Sequence, residues 1–210
     1  MSKKPVYKTV AAPGEALLIE KRSKFIATVH PVDNEPEAIA LLNSLRSEYS
    51  DATHNVYAYV IDENNIFRYS DDGEPSGTAG MPVLDTIRKE NLVDVLVVVT
   101  RYFGGTLLGT GGLVHAYGGA ARQGLLSAGI ITRRMCDILT VNSDYTMSGR
   151  IQYHLSSGAY RVEDTVYAES VTFTVCVPPE EIDRLVEDLT EITGGKAVCQ
   201  VTGKKYIVEK

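Results

Sequence analysis

The order of hydrophobic and polar positions divides the chain into short strand-like and helix-like segments. Residues 16–20 and 24–30 are apolar-rich runs on either side of a charged turn, which predicts two neighbouring strands. Residues 36–49 begin with a proline and then carry apolar side chains at intervals of three and four, which predicts a helix. A second helix is predicted at residues 82–89. Strands and helices therefore mix along the chain, as they do in an α+β domain.

A β-hairpin is expected between these two helices. Residues 54–61 alternate between apolar and polar side chains, and residues 66–70 return after a polar turn. Apolar residues of the first strand would face a core, whereas Asn55, Tyr57 and Tyr59 would form the other, half-buried face. Tyrosines in such a strand most often pack across the sheet, but they could also stack on nucleic-acid bases.

A strand, a glycine turn and a helix are predicted in the middle of the chain. Residues 95–99 are all valine or leucine and predict a strand that is buried on both faces. Nine of the chain's 18 glycines follow between Gly104 and Gly129. Helical character begins at residue 113, which leaves a glycine-rich turn before it. The glycines of this turn are Gly104, Gly105, Gly109, Gly111 and Gly112.

This glycine turn has the composition of an anion site. Backbone N–H groups at a turn that precedes a helix attract negative charge. The Walker and dinucleotide patterns are both absent, because Leu113 and Val114 occupy positions that those patterns require to be lysine and glycine. From Arg101 to Cys136 the chain has four arginines and no acid. We expect Arg101 and the loop amides to face solvent, with a purely structural turn as the alternative.

Three further glycines lie inside the predicted helix. Gly118, Gly119 and Gly124 are flanked by alanines, and each glycine in a helix costs about 1 kcal/mol relative to alanine. We therefore expect all three to be positions where the helix packs tightly on a sheet.

An acidic loop is predicted at residues 70–80, where glycine and proline recur. Asp71, Asp72 and Glu74 place three carboxylates close together. They could hold Mg²⁺, or they could cap the next helix and stabilise the loop, which is the commoner use. The three cysteines and four histidines are far apart, so the sequence predicts no metal-ligand cluster, no disulfide framework and no cofactor.

The pattern changes after residue 132, and we place a domain boundary there. The following segments alternate as strand, helix, strand, strand, helix, strand: 136–141, 144–157, 160–168, 170–177, 178–193 and a last strand that ends at 208. Gly158 and Gly194 are expected to end the two helices. The order βαββαβ is that of a ferredoxin-like domain.

Composition adds limits on location and partners. The chain has 210 residues, of which 44% are hydrophobic and 23% charged, and no apolar run is long enough to span a bilayer. Its first residues lack the apolar core of a secretory signal. We therefore expect a cytoplasmic protein without a membrane partner. Because the net charge is -6, nucleic-acid binding would require a local basic patch.

Three sequence blocks resemble the IMPACT family, also called the YigZ family. The blocks are HNVYAY at 54–59, SDDGEP with TAG at 70–75 and 78–80, and RYFGG with LGTGGL and AY at 101–105, 108–113 and 116–117. The resemblance implies that residues 1–132 adopt the ribosomal protein S5 domain 2-like fold, a mixed sheet backed by two helices. Residues 133–210 resemble the bacterial C-terminal extension of the family, a ferredoxin-like domain similar to the last domain of elongation factor G.

The resemblance also implies a role in translation or RNA binding. Our first hypothesis is a non-enzymatic factor that binds RNA or the ribosome through backbone amides, cations and aromatic rings. The residues of this predicted site are His54, Asn55, Tyr57, Arg101, Tyr102, Gly104, Gly105, Gly109, Gly111 and Gly112. A second hypothesis is an enzyme or sensor of a small phosphorylated ligand, with Mg²⁺ on the acidic loop. A third is a regulator that binds a protein of the translation machinery. The sequence shows neither a loop lysine nor a nucleophile beside a base, which favours a non-enzymatic protein.

Overall fold

The protein consists of two compact units, Met1–Thr132 and Arg133–Lys210, in a computed structural model that describes residues 4–158 and 160–209. The architecture is α+β, as predicted. In chain order the helices are α1 (Glu35–Glu48), α2 (Gly80–Lys89), α3 (Gly109–Ala128), α4 (Tyr145–Ser157) and α5 (Ile182–Thr193). The strands are β1 (Val6–Val10), β2 (Gly14–Glu20), β3 (Ser23–Pro31), β4 (His54–Ile61), β5 (Ile66–Ser70), β6 (Val95–Tyr102), β7 (Ile130–Ser143), β8 (Arg161–Tyr167), β9 (Val171–Val177) and β10 (Val198–Val208).

The sheet of the first unit has five strands in the order β2-β3-β6-β4-β5. Each neighbouring pair in this order is antiparallel, so the expectation of a mixed sheet is wrong. The central strand is β6, and its residues from Val95 to Arg101 are all buried. This confirms the prediction that a continuous run of valine and leucine forms a strand covered on both faces.

Helices cover both faces of this sheet. Helices α2 and α3 pack on one face, where Val83, Leu84 and Leu125 join the side chains of β3, β4 and β6 in a core. Helix α1 packs on the other face through Ala38, Leu42 and Leu45. The expected polar face of β4 therefore lies against α1. Asn55 and Tyr59 are buried there, and Tyr57 is half-buried.

Helix α3 begins earlier than its hydrophobic spacing predicts. Its first residue is Gly109 rather than Leu113, so Gly111 and Gly112 belong to the first helical turn. The tight packing expected at the internal glycines holds only at Gly124, where an added Cβ would lie 2.9 Å from a methyl group of Val29. At Gly118 and Gly119 the nearest atoms would be 3.6 Å away, which is an ordinary contact.

Helix α3 is the longest described helix, with 20 residues. Neither it nor another helix of the described residues is long and apolar enough to cross a membrane.

The second unit has the predicted ferredoxin-like topology. Its four strands lie in the order β10-β7-β9-β8 with antiparallel neighbours, which is the strand order of a βαββαβ unit. Helices α4 and α5 contribute Ile151, Leu155, Leu185 and Leu189 to its core. The Asp144 carboxylate accepts the backbone N–H of Met147 and caps α4.

Candidate functional site

The three sequence blocks meet at one end of the first unit's sheet. Arg101 on β6 lies between Phe25 on β3 and His54 on β4 in the strand register. The loop between β5 and α2 brings Glu74 to this row of residues, and α3 contributes Tyr117. Segments that are far apart in the chain therefore surround a single carboxylate.

Glu74 is the centre of this cluster. One nitrogen of the Arg101 guanidinium, Nη1, donates a hydrogen bond to Glu74 Oε1 over 2.5 Å. The Tyr117 hydroxyl donates to the same oxygen over 2.7 Å, and His54 Nε2 lies 3.8 Å from it. Glu74 and Arg101 are both buried. A buried ion pair is tolerated only when hydrogen bonds compensate its lost hydration. These contacts compensate the Glu74 carboxylate, whereas the buried Nε of Arg101 has no hydrogen-bond partner among the described residues.

Arg101 is not presented to solvent, so that expectation is wrong. Only 5% of its surface is exposed. The guanidinium lies 5.4 Å from the ring centre of Phe25 and 5.5 Å from that of Phe103, and its Nη2 is 3.4 Å from the Ser23 hydroxyl. In this position Arg101 holds the end of β6 in place and cannot reach a phosphate at the surface.

Tyr117 is a neutral hydrogen-bond donor in this cluster. Burial raises the pKa of its hydroxyl far above the usual value, and the hydrogen bond to Glu74 raises it further. Its ring packs edge-on against Phe25, with the ring centres 5.0 Å apart. The phenol therefore keeps its proton and stabilises the carboxylate.

His54 is held by the backbone of the acidic loop. Its Nδ1 lies 2.7 Å from the carbonyl oxygen of Asp72. A carbonyl oxygen only accepts, so Nδ1 carries a proton and donates it in this hydrogen bond. The other ring nitrogen, Nε2, faces Glu74. His54 thus connects the loop to the buried ion pair.

Asp71 fastens the acidic loop to α2. Its Oδ1 accepts the backbone N–H groups of Ala79 and Gly80 over 3.0 and 2.8 Å, and its Oδ2 accepts that of Gly77 over 2.9 Å. These donors include the first residue of α2. The Asp71 side chain therefore caps α2, because the residue at the N-cap position, Ala79, has no polar side chain.

Asp72 and Asn55 connect the loop to the sheet. Asp72 Oδ2 accepts the backbone N–H of Asn55 over 2.6 Å, and its Oδ1 accepts Arg46 Nη2 over 3.1 Å. Asn55 in turn accepts the Thr100 hydroxyl and donates to the carbonyl of Tyr49. Asn55 is therefore a structural link in the interior rather than a surface contact.

These contacts favour the loop-stabilising interpretation of the three acids. Asp71, Asp72 and Glu74 each accept hydrogen bonds from different groups of the protein. Among the described residues, no three or more histidine, cysteine, aspartate or glutamate side chains converge in the manner of metal ligands.

The glycine turn has a buried part and an exposed part. Gly104 crosses the β2–β3 turn so closely that an added Cβ would lie 2.1 Å from the carbonyl carbon of Arg22, so only glycine fits. Its N–H donates to the Ser23 hydroxyl over 3.1 Å. Gly105 and Gly109 have positive φ angles and open space around them. No side chain of the described residues caps the start of α3, which follows this exposed part.

A pocket of about 250 Å³ lies beside the turn. We call it the basic-aromatic pocket, and its lining residues are Arg22, Lys24, Ile26, Tyr102 and Phe103. The pocket is built by the strand register, because Lys24 of β3 lies directly opposite Tyr102 of β6. Phe103 is 47% exposed, and its backbone N–H is held by the Thr53 hydroxyl over 3.0 Å.

Tyr102 forms one wall of this pocket in a fixed orientation. Its hydroxyl donates to Asp51 Oδ1 over 2.8 Å, and this hydrogen bond raises its pKa. The sequence identified Tyr102 but not Arg22, Lys24 or Phe103. The charged turn was visible in the sequence, but the register that sets it beside β6 was not.

The predicted site residues therefore fall into three groups. His54, Arg101 and Gly104 are structural members of the interior around Glu74 and Ser23. Asn55 and Tyr57 lie on the α1 side of β4. There the Tyr57 ring stacks on the Tyr59 ring, and the Arg46 guanidinium lies over the Tyr57 ring. Of the remaining residues, Tyr102 lines the basic-aromatic pocket. Gly105 lies in the exposed part of the glycine turn, and Gly109, Gly111 and Gly112 form the first turn of α3.

Comparisons with known proteins match both units of the chain. The family model described as Impact N-terminal domain matches residues 21–125, which include all three sequence blocks. The model described as Domain of unknown function (DUF1949) matches residues 141–196. Each model thus lies within one of the two units.

Related proteins occur in bacteria and eukaryotes. IMPACT family member YvyE of Bacillus subtilis (strain 168) is 40% identical over 192 residues, covering 91% of this chain and 88% of that protein. IMPACT family member YigZ of Escherichia coli (strain K12) is 33% identical, covering 88% and 92%. The protein IMPACT homolog of Dictyostelium discoideum is 44% identical over 101 residues, covering 46% of this chain and 29% of that protein.

A solved structure is similar over nearly the full length. It is described as the crystal structure of an hypothetical protein and has a TM-score of 0.60 and 30% sequence identity. The match covers 95% of this chain and 98% of that chain. The two-unit architecture is therefore shared with a protein of known structure.

Proposed function

Because the chain belongs to the IMPACT family, we propose that it is a non-enzymatic cytosolic factor that binds RNA, free or in the ribosome, at the basic-aromatic pocket. The observation behind this proposal is that two cations and two aromatic rings line one pocket, and that the exposed Gly105 follows Phe103 by two positions along the chain. Cations bind phosphates, and aromatic side chains stack on unpaired bases. Binding at this place would link the chain to translation.

The local chemistry matters because the whole chain has a net charge of -6. Overall attraction to a polyanion is therefore unfavourable, and a patch must provide the affinity. Arg22 and Lys24 are exposed at the pocket, and the turn that follows Phe103 offers backbone N–H groups at Gly105 and at the start of α3. Backbone amides and a helix N-terminus add to phosphate binding without adding side-chain charge.

The buried cluster supports this surface from the interior. Arg101 precedes Tyr102 and Phe103 in the chain, and its guanidinium is fixed by Glu74 and packed against the Phe103 ring. The side chains of the sequence blocks thus position the two aromatic residues of the pocket. In this proposal the interior residues hold the site in shape, and the surface residues contact the RNA.

Binding to RNA can be tested with matched variants of the full chain. The probes are a single-stranded RNA in filter binding and purified ribosomes in co-sedimentation, each over a series of salt concentrations. We expect the double variant R22Q/K24Q to bind at least about tenfold more weakly and to show a salt slope reduced by about 1 to 2, because phosphate contacts are lost. Phe103→Ala should weaken binding by about 1–3 kcal/mol with little change of slope.

The control is Lys8→Gln, which removes an exposed positive charge from β1, outside the pocket. It should bind RNA as the unmodified chain does. Thermal unfolding of every variant checks that the fold is retained. Equal losses in Lys8→Gln and R22Q/K24Q, or the absence of salt-sensitive association with either probe, would overturn the proposal. A partner captured from lysate equally well after nuclease treatment would favour protein binding instead.

A further inference from the structure

Strand β2 is an open edge of the first unit's sheet. Among the described residues, its ladder partner is β3 alone. The pairing with β3 runs without a bulge from Gly14 to Glu20, and the strand contains no proline. Natural edge strands are usually protected by prolines, bulges or inward-pointing charges, because their unpaired N–H and C=O groups can pair with another strand. Strand β2 has neither a proline nor a bulge, and the one charged residue on its core face, Glu20, is its last residue. The edge from Gly14 to Ile19 is therefore open to a partner.

The side chains of β2 add an apolar surface to this edge. Leu17 is 54% exposed and Ile19 is 60% exposed. They alternate along the strand and so lie on the same face, while Leu18 points to the core beneath α3. The core that α1 forms on this face contains residues of β4 and β6 but none of β2. Two large aliphatic side chains therefore remain uncovered beside unpaired backbone groups.

We propose that β2 pairs antiparallel with β2 of a second copy of the chain, with Leu18 on the two-fold axis. Such a dimer joins two five-stranded sheets edge to edge, and a two-fold contact uses the same surface of both copies. A two-fold axis perpendicular to the sheet places odd-numbered residues of one copy opposite odd-numbered residues of the other. With Leu18 opposite Leu18, Leu17 faces Ile19 of the second copy, and Glu15 comes beside its Lys21, the first residue of the β2–β3 turn.

The neighbouring registers are chemically worse. An axis through Leu17 places Glu15 opposite Ile19, and an axis through Ile19 brings Leu17 beside the turn residue Lys21. Each of these sets a charge against an aliphatic side chain. The register centred on Leu18 combines an apolar cluster in the middle with an acid-base pair at each end. Cross-strand pairs of these kinds are stabilising in antiparallel sheets.

This self-complementary charge pattern is the reason to choose a second copy as the partner. A foreign strand would have to reproduce the spacing of acid, aliphatic and base that β2 and the turn after it supply. The contact is a single strand wide and is smaller than a standard protein interface, so the dimer should be weak and concentration-dependent. None of the residues that line the basic-aromatic pocket lies on β2, and loss of RNA binding would leave this proposal intact.

Sedimentation equilibrium over a concentration series tests the interface in the full chain. We expect a reversible monomer-dimer equilibrium. Leu17→Asp should raise the dissociation constant at least about tenfold, because it places a charge in the apolar centre of the contact. The matched control is Leu126→Asp on α3, which alters a side chain that is 63% exposed and should leave the equilibrium unchanged. Circular dichroism confirms that both variants are folded.

A charge exchange tests the register. Glu15→Lys and Lys21→Glu should each weaken the dimer, since each creates pairs of like charge, whereas the double variant should restore it. A chain that stays monomeric at all concentrations overturns the proposal, as does a dimer that Leu17→Asp and Leu126→Asp affect equally. Failure of the double variant to restore association overturns the register centred on Leu18.

Discussion

At the level of single residues, Glu74 joins the acidic loop to the central strand and to α3. It accepts hydrogen bonds from Arg101 on β6 and from Tyr117 on α3, and it lies in the loop that precedes α2. A carboxylate in the interior is strongly destabilising unless such donors are present. The residue types at these three positions are therefore interdependent, and changing one of them should affect the others.

Removal of the Tyr117 hydroxyl should destabilise the protein without altering its packing. Tyr117→Phe keeps the ring against Phe25 but takes one donor from the buried carboxylate. A hydrogen bond to a charged group contributes about 1.5–3 kcal/mol, and we expect the free energy of unfolding to fall by this amount. Urea unfolding followed by circular dichroism measures it.

The control for this substitution is Tyr153→Phe, which removes a hydroxyl from a highly exposed tyrosine of α4 and should change stability by less than about 0.5 kcal/mol. In the variant Glu74→Gln, the effect of Tyr117→Phe should become smaller, because the charged acceptor is gone. Equal effects of Tyr117→Phe in both backgrounds would contradict the contact between these two residues.

The sequence identified Asn55, Glu74 and Arg101 as candidate site residues, but it did not show that they are buried. Arg101 was expected at the surface because an arginine in a chain segment free of acids has no visible partner. Its partner, Glu74, is 27 positions away along the chain and reaches it only through the fold of the acidic loop. The pairing of Asp72 with Asn55 is hidden for the same reason. Whether a polar side chain is buried depends on partners that are distant in the sequence, and a local sequence pattern does not reveal those partners.

At the level of elements, the glycines of α3 separate into packing positions and open positions. An added Cβ at Gly124 would lie 2.9 Å from Val29 Cγ2 and 3.0 Å from Ala27 Cβ, so the helix touches β3 there. At Gly119 the nearest atom is Leu18 Cδ2 at 3.6 Å. Glycine lowers the stability of the helix by a similar amount at both positions. Only at Gly124 would a larger side chain come too close to the sheet.

Two alanine substitutions in α3 should therefore differ in their effect on stability. Gly119→Ala should raise the free energy of unfolding by up to about 1 kcal/mol, because alanine favours the helix and meets only an ordinary contact. Gly124→Ala should be less stable than Gly119→Ala by about 1–3 kcal/mol, since its methyl group overpacks the contact with β3. Thermal unfolding of the two variants beside the unmodified chain gives the order. A Gly124→Ala protein as stable as Gly119→Ala would show that α3 can shift on the sheet at no cost.

Most elements could be predicted from local patterns, and the differences have physical causes. Strand β4 was found because its alternation is local, but the burial of its second face depends on α1, which docks from elsewhere. The start of α3 was missed because glycines at its first turn have neither apolar spacing nor a side-chain cap. The antiparallel order of the first sheet was missed because strand order depends on contacts between distant segments.

At the level of the whole molecule, each unit has its own hydrophobic core. The cores on the two faces of the first sheet draw their buried residues from positions between Val10 and Ala128. The core of the second unit draws its buried residues from positions between Leu139 and Leu189. The change of pattern after residue 132 was visible in the sequence for this reason, since a unit with its own core needs a complete set of amphipathic elements.

The second unit should therefore fold when it is expressed alone. A segment of residues 130–210 contains all four strands and both helices of the ferredoxin-like sheet, together with the buried residues of its core. We expect cooperative thermal unfolding by circular dichroism and no binding of a hydrophobic dye. Phe173 is buried in the centre of this core, and Phe173→Ala should cost about 3–5 kcal/mol, a large part of the stability of a small domain.

The matched control in this segment is Tyr153→Ala, which removes an aromatic side chain from an exposed position of α4 and should leave the midpoint nearly unchanged. If the isolated segment unfolds without cooperativity and binds the dye, the ten buried side chains of this core do not suffice to hold it. The two units would then have to be regarded as one folding unit. Cooperative unfolding that Phe173→Ala weakens and Tyr153→Ala does not would show instead that βαββαβ order and one apolar face are enough to specify this domain.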